Sequence, residues 1–213
     1  LVASVTTAYP QQDITWQQFT PTGPLAFLPL SGQSASLVWY NTPAEVKRLM
    51  GCSEEQFMEE LTNEFPETLG SIDCLLSRGS FPLRRQHAQQ YVKEGVALVG
   101  DAAHMIHPLA GQGVNIGLLD AAALAEVLIS AVSAGEDIAS LAVLSGYEKQ
   151  RRRHNFVMMQ AMDLFYRVFS NDVLPLKVLR NVGLGVAGKA FPLKRKVMAF
   201  AMGLEGDLPT IAK

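Results

Sequence analysis

Polar and apolar positions alternate with period two through the first part of the chain and follow a helical period through the rest. In residues 14–20, Ile14, Trp16 and Gln18 fall on one face of an extended chain and Thr15, Gln17 and Phe19 on the other. Residues 21–24 form a turn, 25–30 a second strand, 31–33 a second turn and 35–40 a third strand, which predicts an antiparallel meander. Trp16, Phe19, Phe27, Trp39 and Tyr40 supply its aromatic bulk. Thr42 precedes Pro43 as an N-cap with proline at the first helical position. Ser53 and Gln56 make a capping box, after which Phe57, Leu61 and Phe65 share one helical face up to Pro66. Residues 72–84 read as extended. Residues 96–99 are a short, continuously apolar run, the pattern of a strand buried in the middle of a sheet. Residues 114–132 are apolar nearly all round and predict a buried helix. After the polar break at residues 135–137 a long helix is expected over 141–169, with two more marked by Pro175 and Pro192. The pattern divides the chain into a β-rich region (1–92), a strand-loop-helix (93–135) and a helical tail (136–213). No internal repeat or low-complexity segment interrupts it.

Composition narrows the classes. The 213 residues, 48% hydrophobic and 18% charged, are those of a globular chain able to bury a core. A net charge of -2 makes no electrostatic case for nucleic acid. Cys52 and Cys74 form no Cys-x-x-Cys pair and read as free thiols in a reducing compartment. No uninterrupted apolar run reaches the ~18 residues of a membrane span. The first residues, beginning at Leu1, lack the basic flank, apolar core and cleavage site of a signal peptide and read as the start of an internal piece of a longer protein.

The candidate chemistry lies in residues 100–115, where the expected buried strand ends and the expected buried helix begins. Ligands of α/β sheets favour the crevice beyond the carboxyl end of a strand. Gly100 permits a tight exit from that strand, and Asp101 presents a carboxylate able to accept hydrogen bonds from a polyol. Gly111 and Gly113 remove side chains, so backbone can approach a flat ligand. The helix beginning near Gly113 offers free N–H groups and partial positive charge. His104, His107 and Asp101 at metal-ligand spacing are read as loop residues, and no metal site is assigned. His87 and His154 are read as surface or structural.

The whole string Gly100-Asp101-Ala102-Ala103-His104-x-x-x-Pro108-x-x-Gly111-Gln112-Gly113-Val114-Asn115 resembles the second flavin motif of the aromatic hydroxylases related to para-hydroxybenzoate hydroxylase. The strings beginning at Trp16, Ala35, Phe81 and Met162 resemble the ubiquinone-biosynthesis branch of that family, members of which act on polyprenylated benzoquinols. The resemblance runs over residues 13–204. It implies an α+β fragment of an α/β FAD-binding fold, with an antiparallel substrate-domain sheet, one flavin-site strand-loop-helix and a helical tail. It implies Asp101 on the ribityl chain of FAD, Pro108 at the reacting face, and the Gly111, Gln112 and Gly113 backbone with Val114 and Asn115 at the pyrimidine edge. Phe27, Pro29 and Trp39 are its candidates for lining the substrate cavity. The implied chemistry is reduction of FAD by NAD(P)H, addition of oxygen to give a flavin C4a-hydroperoxide, and transfer of a hydroxyl group to an electron-rich ring. The location expected with it is cytoplasmic or peripheral to the inner membrane. Another aromatic hydroxylase or epoxidase of the same fold, or an inactive fragment or assembly module, stands as the alternative. At residues 117–120 the family often carries an Arg immediately before the Asp, and Leu119 stands there, so no local ion pair is assigned to Asp120, while the flavin motif is unaffected.

Two further features lie outside that motif. Gly183-x-Gly185-x-x-Gly188 matches the dinucleotide fingerprint in letters only. It has a helical segment before it and a basic one after it, so it is read as small residues on a packed helix face. In the family the true fingerprint lies at the amino terminus and holds the ADP half of FAD, so the dinucleotide-binding unit is expected to be absent here. Arg151-Arg152-Arg153 is read as a solvated helix face. Lys177, Arg180, Lys189, Lys194, Arg195 and Lys196 interleave with apolar residues, with no acidic residue between Pro175 and Met202. That pattern fits either a solvated helical cap or a surface for an anionic membrane or a protein assembly.

Overall fold

The computed structural model describes residues 1–10, 14–67, 70–107, 111–189, 195 and 209–210. They gather into two compact units, Leu1–Pro82 with Arg167–Lys177, and Leu83–Tyr166 with the described residues from Val178 on. This differs from the division at 92 and 135. Leu144 and Tyr147 of the long helix pack into one cluster with Tyr91, Val92 and Ala123, so the tail helix and the strand-loop-helix share a core.

The first unit is built on a five-stranded antiparallel sheet: β1 (Val2–Thr7), β2 (Trp16–Thr20), β3 (Gly23–Pro29), β4 (Ser34–Trp39) and β5 (Ile72–Gly79), in the order β2-β3-β4-β1-β5. The expected meander is β2-β3-β4. Not expected was β1, although Ala3, Val5 and Thr7 alternate inward along it and it lies between β4 and β5. Side chains alternate across a strand, so the pairings Phe27↔Leu37, Leu25↔Trp39, Pro29↔Ala35 and Ala3↔Leu37 put all these residues on one face. Onto that face α1 (Pro43–Gly51) and α2 (Glu54–Glu64) bring Leu49, Phe57 and Leu61, joined by Phe65. Burying each large apolar side chain there contributes roughly 1.5–3 kcal/mol. Both helix starts are those expected: Thr42 Oγ1 accepts from the Glu45 N–H, and Ser53 and Gln56 cap each other reciprocally. β5 ends at Gly79, and residues 80–85 are not strand.

The second unit carries little sheet: β6 (Gln86–His87) pairs with β9 (His104–Met105), and β7 (Val92–Lys93) with β8 (Val96–Ala97). A 3₁₀ turn, Gly100–Ala102, joins β8 to β9. Then come α3 (Gln112–Ala134), α4 (Leu141–Phe169) and, later in the chain, α5 (Leu174–Lys189). Two expectations are corrected. Residues 96–99 are not a strand in the middle of a sheet: among the described residues β8 has β7 as its one partner, and Val96 is 53% exposed. An apolar run is buried only where neighbours flank it. Nor is α3 buried all round. Ile116, Asp120, Ala123 and Ala131 turn inward, while Val114, Leu118, Ile129 and Val132 are exposed. By length and composition residues Gly113–Ala134 also pass for a membrane span, a test that the core helix of a soluble protein passes as well.

The tail brings a third correction. Gly183 and Gly185 are on a helix, as expected, but exposed, and among the described residues a Cβ on either would meet nothing within 4 Å, so there they form no packed face.

Candidate flavin-contacting loop and its buried anchor

Gly100 leaves β8 with φ +56°, in the left-handed region that glycine enters without a Cβ penalty. Helix α3 lies directly against it: a Cβ on Gly117 would sit 3.3 Å from the Gly100 Cα. Asp101 follows, exposed and hydrogen-bonded to no other described residue. On the far side of the loop Gly111, at φ +64°, starts α3 with no side-chain cap. Among the described residues a Cβ on Gly111 or Gly113 would meet nothing within 4 Å, and Val114 and Asn115 are exposed. The loop therefore offers a carboxylate at one end and a helix start with no side-chain cap at the other. Pro108 lies outside the described residues, as does the side chain of Gln112. Between the two ends, the His107 ring stacks on Tyr166 of α4, centroids 4.7 Å apart and 8° from parallel.

Beneath the loop is a cluster of polar residues that sequence reading misjudged. Asp120 is fully buried and carries an ion pair despite Leu119. Its Oδ1 accepts from Arg151 Nε at 2.8 Å and from Asn155 Nδ2 at 2.9 Å. Its Oδ2 lies 2.5 Å from His104 Nε2 and accepts the Gly100 N–H at 3.2 Å. Arg151, expected on a solvated face, is fully buried, and its Nη2 also donates to Asn155 Oδ1 at 3.1 Å. Arg151 and Asn155 share a face of α4 because they are four residues apart. Burial raises the Asp120 pKa. Hydrogen bonds from His104, Asn155 and Arg151, with the charge on His104, lower it by more, so the carboxyl stays ionised below the usual range. Tyr91, whose hydroxyl receives the Asn155 amide at 3.4 Å, is pushed up to about 12, chiefly by burial. The signal for this cluster was present: one carboxylate on an otherwise apolar helix must find a partner when buried. Which partner was not written locally.

Of the three candidates for substrate lining, Phe27 and Trp39 belong to the apolar core of the first unit, and Pro29 is half-buried at the end of β3. Phe27, Pro29 and Trp39 share the sheet face that faces α1 and α2, with Phe27 fully buried in that core. The opposite face carries Ala26, Leu28, Ser36 and Val38.

Comparison with known proteins places the chain. The model of a family described as an FAD binding domain matches residues 2–162. The 3-demethoxyubiquinol 3-hydroxylase of Escherichia coli (strain K12) is 53% identical over 192 residues, covering 90% of this chain and 49% of that protein. The mitochondrial ubiquinone biosynthesis monooxygenase COQ6 of Rattus norvegicus is 37% identical over 225 residues, covering 90% and 47%. The chain thus spans about half the length of the curated relatives it matches. Among solved structures, p-nitrophenol 4-monooxygenase PnpA from Pseudomonas putida DLL-E4 superposes with a TM-score of 0.69 at 22% identity, covering 96% of this chain and 52% of that one. At that identity the likeness speaks for the fold alone. The α+β arrangement expected for a fragment of that fold is the one observed.

Proposed function

The chain belongs to the FAD binding domain family, and from that premise we propose that it supplies the flavin-ring side of an FAD-dependent, NAD(P)H-consuming monooxygenase. Its substrate is a polyprenylated benzoquinol on the route to ubiquinone. The names of the relatives support the reaction class. The observation that carries the reading in this chain is the pairing of an exposed, unengaged Asp101 with the uncapped start of α3 on one loop.

The residues present fit FAD. Asp101 accepts hydrogen bonds from ribityl hydroxyls. Open space at Gly111 and Gly113 lets backbone approach a planar ring, and the first N–H groups of α3 orient its polar edge. Bound there, FAD supplies the redox chemistry, passing electrons from NAD(P)H to oxygen and oxygen to the ring. Titrating FAD into the full-length protein and its Asp101→Ala variant, followed by flavin fluorescence, tests the assignment. A weakening of about 1.5–3 kcal/mol is expected for a charged hydrogen bond. Equal affinity of the two forms removes Asp101 from the site.

The same reading puts the protein at the cytoplasmic face of the inner membrane. Along α5, Leu174, Val178 and Val182 recur every four residues and are exposed, beside Arg180. Flotation with anionic and neutral liposomes tests this: binding that ignores lipid charge and salt rejects an electrostatic surface.

A further inference from the structure

We propose that Asp120 is a positioning residue for the flavin loop, setting how the carboxylate of Asp101 stands relative to the start of α3. The inference rests on the reading of that loop given above. Four donors converge on the Asp120 carboxylate, two on each oxygen: Arg151 Nε and Asn155 Nδ2 on one, His104 Nε2 and the Gly100 N–H on the other. A carboxylate has about four acceptor directions, so this one is saturated and cannot turn without losing a partner. The donors come from three elements, namely the 3₁₀ turn that carries Asp101, β9 and α4. Asp120 itself is on α3, eight residues after Gln112, or about 12 Å down the helix at ~1.5 Å per residue.

One buried side chain therefore ties both ends of the loop together. It holds the N–H of the residue immediately before Asp101, and it is rigidly part of the helix whose N-terminus forms the other end. Gly117 fits the arrangement, because a Cβ there would stand 3.3 Å from the Gly100 Cα and would press that backbone away by a few tenths of an ångström. A buried ion pair adds little net stability over an apolar packing of the same volume. What it adds here is direction, since each bond is satisfied at one geometry only.

The test compares wild type, Asp120→Asn, His104→Gln and Asp101→Ala in two measurements. The first is native-state amide exchange at Gly100, with Ala123 and Leu144 as controls in the same unit. The second is FAD affinity by fluorescence titration. Asp120→Asn is expected to speed Gly100 exchange about tenfold relative to the controls and to weaken FAD by a similar factor. His104→Gln, which leaves the Asp120–Arg151 pair in place, is expected to do the same to a smaller degree and decides the matter if Asp120→Asn does not fold. Asp101→Ala is expected to weaken FAD while leaving Gly100 exchange unchanged. Selective acceleration at Gly100 with weaker FAD binding supports positioning. Acceleration equal at Gly100 and the controls, or unchanged FAD affinity in a folded Asp120 or His104 variant, overturns it. If Asp101→Ala binds FAD as wild type does while the Asp120 variant does not, the Asp101 reading fails and the anchor stands. All forms are measured in the full-length protein, and if none of them binds FAD there, both fail.

Discussion

The two units hold themselves together by different physics. In the first, Leu37, Phe27, Phe57 and Leu61 pack between a sheet face and two helices in a wholly apolar cluster. In the second, two small apolar clusters accompany a fully buried carboxylate, guanidinium and amide and a nearly fully buried imidazole. Dispersion and water exclusion have no direction, so the first core is specified by volume and tolerates rearrangement of equal bulk. Hydrogen-bonded charges are specified by geometry and tolerate almost none. The unit carrying the loop proposed to meet the flavin is the one with the directional core, which suits a site whose atoms would have to stand within tenths of an ångström of a ligand.

Isosteric changes separate the two cores most sharply. Asp120→Asn preserves volume but leaves Arg151 buried without its counter-charge, and a loss of about 3–5 kcal/mol is expected in denaturant unfolding. A loss below about 1 kcal/mol would mean that the cluster is not the directional core described. In the first unit, Leu37→Ala is expected to cost about 2–5 kcal/mol by opening a cavity, whereas Leu37→Met, similar in volume, should cost less than about 1.5 kcal/mol. If Leu37→Met proves as damaging as Leu37→Ala, volume is not what specifies that core.

Acid provides a gentler probe. The Asp120 pKa is lower folded than unfolded, so its contribution is complete above the ordinary carboxylate value of about 4 and is lost as pH falls through the folded value. Unfolding followed between pH 7 and pH 2 should show this loss in wild type and a shallower one in Asp120→Asn. Identical slopes would show that the carboxylate is not stabilised as described. The smallest effect expected is at the surface of the first unit: Ser53→Ala removes half of a capping box and should cost about 1 kcal/mol in thermal unfolding.

Much of this was legible along the chain because it is local. Caps at Thr42 and Ser53, the turns of the meander and the start of α3 next to Gly111 follow from short-range stereochemistry. The ends of the flavin loop were legible for the same reason. Gly100 and Gly111 are needed where φ is positive, and Asp101 is a polar residue with no local partner. What was misread is non-local. Residues 96–99 are apolar whether or not strands flank them. The inward face of β3 depends on pairings with β4 that no single strand encodes.

Sequence by itself therefore determined the three strands of the meander, the starts of α1 and α2 with their caps, and the glycines that bound the loop proposed to meet the ligand, since each is decided within a few residues by dihedral preference and hydrogen bonding. Only the tertiary structure decided which apolar faces are covered, that Phe27 and Trp39 belong to a core, and that Arg151 reaches Asp120 across 31 positions of chain. A charge on a helix states that it must be solvated or paired. The partner is chosen by how the helices pack, and that choice is a property of the whole fold.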